Sequence, residues 1–245
     1  MTRWIATSDG VQLAVREWPA VSASGSAVVL VHGFGASKDD ATVVGMAEAL
    51  AAEGHHVVSY TGRGHRESRG ECTLGDLEHH DVAAASALAH ATADRVVLVG
   101  ASMGAVAVLR HAAQQSVAGV VTVSGPAEWR VPRTLQSAAA ALITQTSPGR
   151  YLARRALGVR LAGGWSGAAA PVELAGSLRI PLAVVHGRAD RFIRPEEAEK
   201  LHAAAGGPAR LDLVEGMGHA YSDPAVGPVC RAVRWALEFG RFPCS

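Results

Sequence analysis

Hydrophobic positions along this chain fall into two periods. Runs at 27–32, 55–60, 95–100, 117–124, 180–186 and 210–214 are short and nearly continuous in Val, Leu, Ile and Ala, the pattern of strands buried on both faces. Residues 39–53, 74–91, 103–114, 195–205 and 223–239 space their apolar side chains at helical intervals, with Gly54 closing the first and Pro224 near the start of the last. At the amino terminus 3–8 and 11–18 alternate around Asp9-Gly10, a dipeptide that predicts a tight antiparallel hairpin.

Strands alternating with helices predict an α/β fold: a mostly parallel, twisted sheet of about eight strands with helices on both faces, joined by right-handed crossovers. Segment 127–178 breaks the alternation. It has no strand signal, and its spacing predicts two helices, 134–145 and 150–157, followed by a loose Gly/Ala stretch at 163–170. Such a segment is too short to fold alone. It is read as a short helical insertion after the fourth parallel strand, carried by a single domain spanning residues 1–245.

Composition acts by exclusion. The formal net charge is +1, and acids and bases are interspersed. A nucleic-acid or membrane-surface partner would call for a basic stripe, so neither is expected; the arginines at 150–160 read as a solvated helix face. The three cysteines, Cys72, Cys230 and Cys244, follow neither a disulfide framework nor a metal-ligand spacing, and Cys72 reads as a buried structural thiol. No apolar leader or membrane-length run is present. The expectation is a cytoplasmic protein that makes no stable membrane insertion and needs no metal or organic cofactor; oligomeric state is not readable.

The chemistry begins at Gly100-Ala101-Ser102-Met103-Gly104, between a predicted buried strand and a predicted helix. In that setting the serine sits on a sharp turn, the flanking glycines avoid side-chain clashes, and the hydroxyl projects over the carboxyl edge of the sheet, where open α/β sheets bind ligands. A serine hydroxyl needs a general base, and the base needs an orienting acid. His219, in a Gly-rich turn after the last strand, and Asp190, just past the strand at 180–186, occupy suitable strand ends. The backbone N–H groups of Met103 and of Phe34, between Gly33 and Gly35, are placed to hold an oxyanion. His32 reads as a structural residue that fixes the turn containing Phe34.

Four separated segments therefore agree: His-Gly-Phe-Gly at 32–35, Gly-Ala-Ser-Met-Gly at 100–104, His-Gly-Arg-Ala-Asp at 186–190 and Gly-Met-Gly-His at 216–219. In these the chain resembles the α/β-hydrolase superfamily, and within it small bacterial serine esterases and lysophospholipase-like hydrolases. The resemblance implies the α/β-hydrolase fold with a short helical cap, and a catalytic set of Ser102, Asp190 and His219 with an oxyanion hole at Phe34 and Met103. One segment departs. Relatives often carry D-x-R-G-x-G-x-S after the second parallel strand; here Arg63, Gly64 and Ser68 match, but Thr61 replaces the acid and Arg66 the second glycine.

The expected function is a serine hydrolase that cleaves a small-molecule carboxylic ester, or a thioester, through an acyl-enzyme. A thioesterase, acyltransferase, cyclase or carbon–carbon-bond hydrolase would use the same residues, and a non-catalytic ligand-binding protein could keep the fold. The cap at 127–178 is expected to roof the pocket, with Trp129, Leu135, Leu142, Tyr151 and Trp165 as candidate lining.

Overall fold

The computed structural model describes residues 3–22, 24–128, 135–164 and 169–239, except for the side chains of 135–138 and 140. Eight strands form one sheet: β1 (Arg3–Ala6), β2 (Gln12–Trp18), β3 (Ser26–Val31), β4 (His56–Tyr60), β5 (Arg95–Ala101), β6 (Gly119–Val123), β7 (Leu182–Gly187) and β8 (Ala209–Val214). Their spatial order is β1-β2-β4-β3-β5-β6-β7-β8. From β4 to β8 neighbouring strands pair in parallel, while β1 and β2 pair antiparallel with each other and β2 pairs antiparallel with β4. The chain enters the parallel part at β3, runs outward to β4, then returns to the other side of β3 with β5. That reversal opens a crevice at the carboxyl ends of β3 and β5.

The continuous apolar strands divide their side chains between two cores because successive residues face opposite sides of a sheet. Val29, Val96 and Leu98 face one side, where they pack with α2 (Glu78–His90), α3 (Met103–Ala112), α6 (Pro171–Ser177) and α7 (Pro195–Ala204). Val28, Leu30, Val97 and Val99 face the other, where α1 (Ala41–Ala52) and α8 (Val226–Phe239) cover the sheet through residues such as Met46, Leu50 and Val233.

Several expected elements are trimmed for local reasons. The Asp9-Gly10 hairpin is wider than a two-residue turn: the paired register ends at Ala6 and Gln12, and the Asp9 carboxylate leaves the turn to receive Arg63 Nη1 at 2.8 Å. The helix expected from residue 74 starts at Glu78. Leu74 and Gly75 hold positive φ of 57° and 104°, and the Glu78 carboxylate accepts from Thr73 N, Thr73 Oγ1 and Gly75 N. Helix α6 has no periodic signal in the Gly/Ala-rich sequence around it. Between β6 and β7 the chain forms α4 (Leu135–Gln145), α5 (Ser147–Leu152) and a π-helical turn (Ala153–Leu157) that ends at Gly158 with φ 66°.

Leu98 is fully buried at the centre of the sheet. Leu98→Ala is expected to lower the unfolding free energy by about 3 kcal/mol in urea titration.

Candidate active site

Ser102 follows β5 directly and precedes α3. Its backbone stands at φ 53° and ψ −113°, a left-handed conformation that a residue with a side chain rarely adopts. The neighbours permit it. A Cβ on Gly100 would lie 2.3 Å from Gly104 O, and one on Gly104 would lie 2.7 Å from both Val31 O and His32 O. Only glycines let the first turn of α3 lie this close to β3 and β5. The Ser102 N–H donates to Val123 O at 2.9 Å, tying the turn to β6.

Three residues distant in sequence meet here. His219 Nε2 lies 2.9 Å from Ser102 Oγ, and His219 Nδ1 lies 2.7 Å from Asp190 Oδ2. A carboxylate accepts, so Nδ1 carries the proton and Nε2 is left to accept from the serine hydroxyl. Asp190 does not cap a helix, since Arg194 occupies that position ahead of α7. Its second oxygen, Oδ1, accepts from Phe192 N at 2.8 Å and Ile193 N at 2.9 Å. Burial would raise the Asp190 carboxyl; the bond from His219 and the two backbone N–H groups outweigh it and hold the carboxyl below its ordinary range. The site therefore keeps a charged acid, a singly protonated imidazole and a hydroxyl in one line.

The loop carrying His219 is pinned by residues that belong to no sequence motif. The Tyr221 hydroxyl reaches Val31 O at 2.9 Å and Val99 O at 3.2 Å, at the ends of β3 and β5. Ser124, just past β6 with φ 50°, accepts the Ala220 N–H at 3.1 Å. A Cβ on Gly187 would lie 2.2 Å from Met217 O, so the end of β7 meets this loop backbone to backbone. Nothing in the local pattern around Tyr221 or Ser124 distinguishes them from ordinary turn residues.

Phe34 and Met103 both flank Ser102. Met103 is the first residue of α3, so its N–H has no partner within the helix, and the positive end of the helix dipole lies at the same place. A Cβ on Gly33 would stand 3.3 Å from Ser102 Cβ, so the Gly33-Phe34 backbone packs directly on the serine. Two buried histidines hold that loop. His32 donates from Nδ1 to Gly33 O at 2.7 Å and accepts at Nε2 from Gly62 N at 2.9 Å. His65 donates from Nδ1 to Arg63 O at 3.0 Å and accepts at Nε2 from Gly35 N at 3.1 Å. The structural reading of His32 agrees with these contacts; His65 carries no local signal of its role, because its partner lies thirty residues away.

The loop that departs from the family pattern keeps its shape by other means. Arg66 stands at φ 42°, in the left-handed region where the pattern has glycine, and its guanidinium approaches Gly35 O. Thr61 Oγ1 lies 3.2 Å from Glu67 Oε1. The same loop binds residues 158–162: Arg66 N donates to Gly158 O, Arg160 N to Gly64 O and Cys72 N to Arg160 O. Next to this seam lies a cavity of about 330 Å³ lined by Cys72, Leu74, Thr144, Gln145, Arg150 and Leu161, among others. Cys72 and Leu161 belong to the buried cluster that includes Met103, with Phe34 and Leu74 packed against it. Burial pushes the Cys72 thiol well up.

The residues expected to line the pocket fall in different places. Leu142 and Tyr151 are each 65% exposed: α4 and α5 turn these positions to solvent and offer Thr144, Gln145 and Arg150 to the cavity, alongside the turn at 72–74 and the stretch at 161–164. Trp129, Trp165 and the side chain of Leu135 lie outside the described residues. Among the described residues no helix is long and apolar enough to cross a membrane, and no group of three His, Cys, Asp or Glu is disposed to hold a metal ion.

Residues 28–227 match the profile of the alpha/beta hydrolase family. A non-heme haloperoxidase of Rhodococcus erythropolis is 29% identical over 117 residues, 48% of this chain and 40% of that protein; the match thus spans about two fifths of that relative's length. The whole-chain likeness is structural. An esterase of Pyrococcus furiosus superposes with a TM-score of 0.71 at 20% identity, covering 99% of this chain and 92% of the other. An esterase of Thermogutta terrifontis gives 0.71 at 20%, covering 99% and 100%, and one of Exiguobacterium antarcticum gives 0.73 at 16%, covering 97% and 100%.

Both loop histidines must be neutral to accept their N–H partners. Burial, with the neighbouring His65, pushes His32 down to about 3, and burial lowers His65. An unfolded histidine binds its proton near pH 6.5, so this stability is complete above that value and is lost as pH falls, by up to about 1.4 kcal/mol per pH unit for His32, with a further loss in the same direction from His65. Urea unfolding should show the decline as pH falls from roughly 6.5 toward 3, with a shallower slope in His65→Gln. His65→Ala removes a buried ring and leaves the half-buried Gly35 N–H without its acceptor, and should cost about 1–3 kcal/mol at neutral pH.

Proposed function

Because the chain belongs to the alpha/beta hydrolase family, we propose that it hydrolyses carboxylic esters of small molecules by a serine acyl-enzyme mechanism. The observation that carries this reading is His219, bridged between the Ser102 hydroxyl and the Asp190 carboxylate. The esterase character of the structural neighbours is consistent with it.

The hydroxyl of Ser102 attacks the acyl carbonyl while His219 Nε2 takes its proton. Asp190 holds the imidazole with its proton on Nδ1 and stabilises the cation that forms. Negative charge moves onto the carbonyl oxygen, where the N–H groups of Phe34 and Met103 receive it; each such donor contributes about 3 kcal/mol to the transition state. The carbon–oxygen bond to the leaving alcohol then breaks, and His219 returns the proton to that alcohol. Water repeats the sequence on the acyl-serine, releasing the acid and restoring the hydroxyl. Every proton in the cycle passes through one imidazole, so its tautomer matters more than any other single feature.

A fluorophosphonate should add once per chain, at Ser102, detected by intact mass, and Ser102→Ala should take up none. On p-nitrophenyl esters Ser102→Ala should reduce kcat by on the order of 10⁵-fold or more. Asp190→Asn leaves the shape of the site but offers His219 Nδ1 an ambiguous partner, and should reduce kcat by on the order of 10⁴-fold. A Ser102→Ala protein retaining more than roughly a hundredth of the activity would overturn the assignment.

A further inference from the structure

The charge of the chain is not evenly placed. Residues 127–178 hold six arginines and two glutamates and no other charged residue, while the whole chain has 23 basic and 22 acidic residues. By difference the β6–β7 segment carries +4 and the remainder, with 17 bases and 20 acids, −3. The described part of the segment holds Arg150, Arg154, Arg155 and Arg160 against Glu128 and Glu173, and net positive charge beside the site concentrates anions there.

Among the described residues of that group, Arg150 lines the cavity. It sits on α5 and is held there by uncharged groups: Nη1 lies 3.4 Å from Gln145 O and Nη2 3.1 Å from Ser147 Oγ. Its charge is thus oriented by neutral acceptors, and a guanidinium has five N–H donors to offer. Arg160, by contrast, directs its guanidinium to the backbone carbonyls of Gly70, Arg66 and Ser68 and serves to bind the segment to the loop. Glu78, a carboxylate that reaches the same wall through Thr73, is buried and engaged by Thr73 N, Thr73 Oγ1 and Gly75 N. Arg154 and Arg155 are exposed, as the solvated-face reading has them, while Arg150 is half-buried and also lines the cavity.

The cavity is graded. Cys72, Leu74 and Leu161 form its apolar wall and pack in the cluster with Met103 and Phe34 beside Ser102. Thr144, Gln145 and Arg150 supply its polar wall. A volume of about 330 Å³ lies at the small end of ligand sites. We propose that this cavity takes the acyl group of the substrate, and that the acyl group is a short apolar chain ending in an anionic group, a carboxylate, which pairs with Arg150. This rests on the ester-hydrolase reading above. The apolar part lies along Leu74 and Leu161, and the carboxylate meets the guanidinium, where two parallel N–H bonds give both strength and direction.

The test uses two esters with one leaving group: p-nitrophenyl hexanoate, and the mono-p-nitrophenyl ester of adipic acid, in which a carboxylate replaces the terminal methyl. The wild-type protein should prefer the adipate ester in kcat/KM, and the preference should shrink as salt is raised. Arg150→Gln should reduce the ratio of adipate to hexanoate kcat/KM at least tenfold, chiefly through KM, and Arg150→Lys should recover part of it. A wild-type preference for hexanoate, or an Arg150→Gln effect equal on both esters, overturns the proposal while leaving ester hydrolysis in place. Binding is read without turnover from the melting temperature. Adipate should raise it in the wild type more than hexanoate does, and that difference should vanish in Arg150→Gln. Equal shifts from the two acids overturn the proposal even if neither ester is cleaved, the outcome that would instead count against the ester-hydrolase reading.

Discussion

The carboxyl edge of this sheet holds together because α3 starts with no side chain between it and the backbone of β3. A Cβ at Gly104 would press on the carbonyls of Val31 and His32, and one at Gly100 on the carbonyl of Gly104. With both absent, the helix begins immediately above the strand, and Ser102 is forced to φ 53°. Such a conformation costs on the order of 1–3 kcal/mol. It persists because β3, β5 and β6 are buried on both faces and cannot shift to relieve it. Everything else at the site is arranged around that fixed point.

The arrangement relies on neutral hydrogen bonds more than on charge. His32 and His65 tie the Phe34 loop to the loop after β4, and Tyr221 and Ser124 tie the His219 loop to the ends of β3, β5 and β6. Each is a directed contact, and those of His32 Nε2 and Tyr221 are buried, where a hydrogen bond fixes geometry and an unpaired group is costly. Charge enters at Asp190, whose carboxylate is the electrostatic partner of His219. With neutral struts holding both loops, the Asp190 carboxylate is the charge in direct contact with the imidazole.

The segment between β6 and β7 joins the site through backbone, not side-chain stripes. Residues 158–162 pair with the loop at 64–72, and the Arg160 side chain closes over the same loop. The Phe34 loop, the departing Thr61–Ser68 motif and the cavity wall are therefore one mechanical unit. Arg66 in place of the usual glycine takes part in it through its left-handed backbone and its approach to Gly35 O.

Much of this is legible in the order of the amino acids alone. Continuous apolar runs alternating with helical spacing determine the order and kind of the strands and major helices, because burial on both faces of a parallel sheet leaves no other composition. Glycines on both sides of Ser102, and Asp190 and His219 just past strand ends, mark where the chemistry gathers. Element ends are less legible: α2 begins at Glu78 because its carboxylate caps the turn at 73–75, a choice made by contacts that periodicity does not encode. The tertiary structure alone decides which side chains line the cavity. Helical stripes point to Leu142 and Tyr151, but a stripe states only that one face differs from the other, not which face meets the site. His65, Ser124 and Tyr221 owe their places to partners brought near by the fold, and such proximity has no signature in the local order of residues.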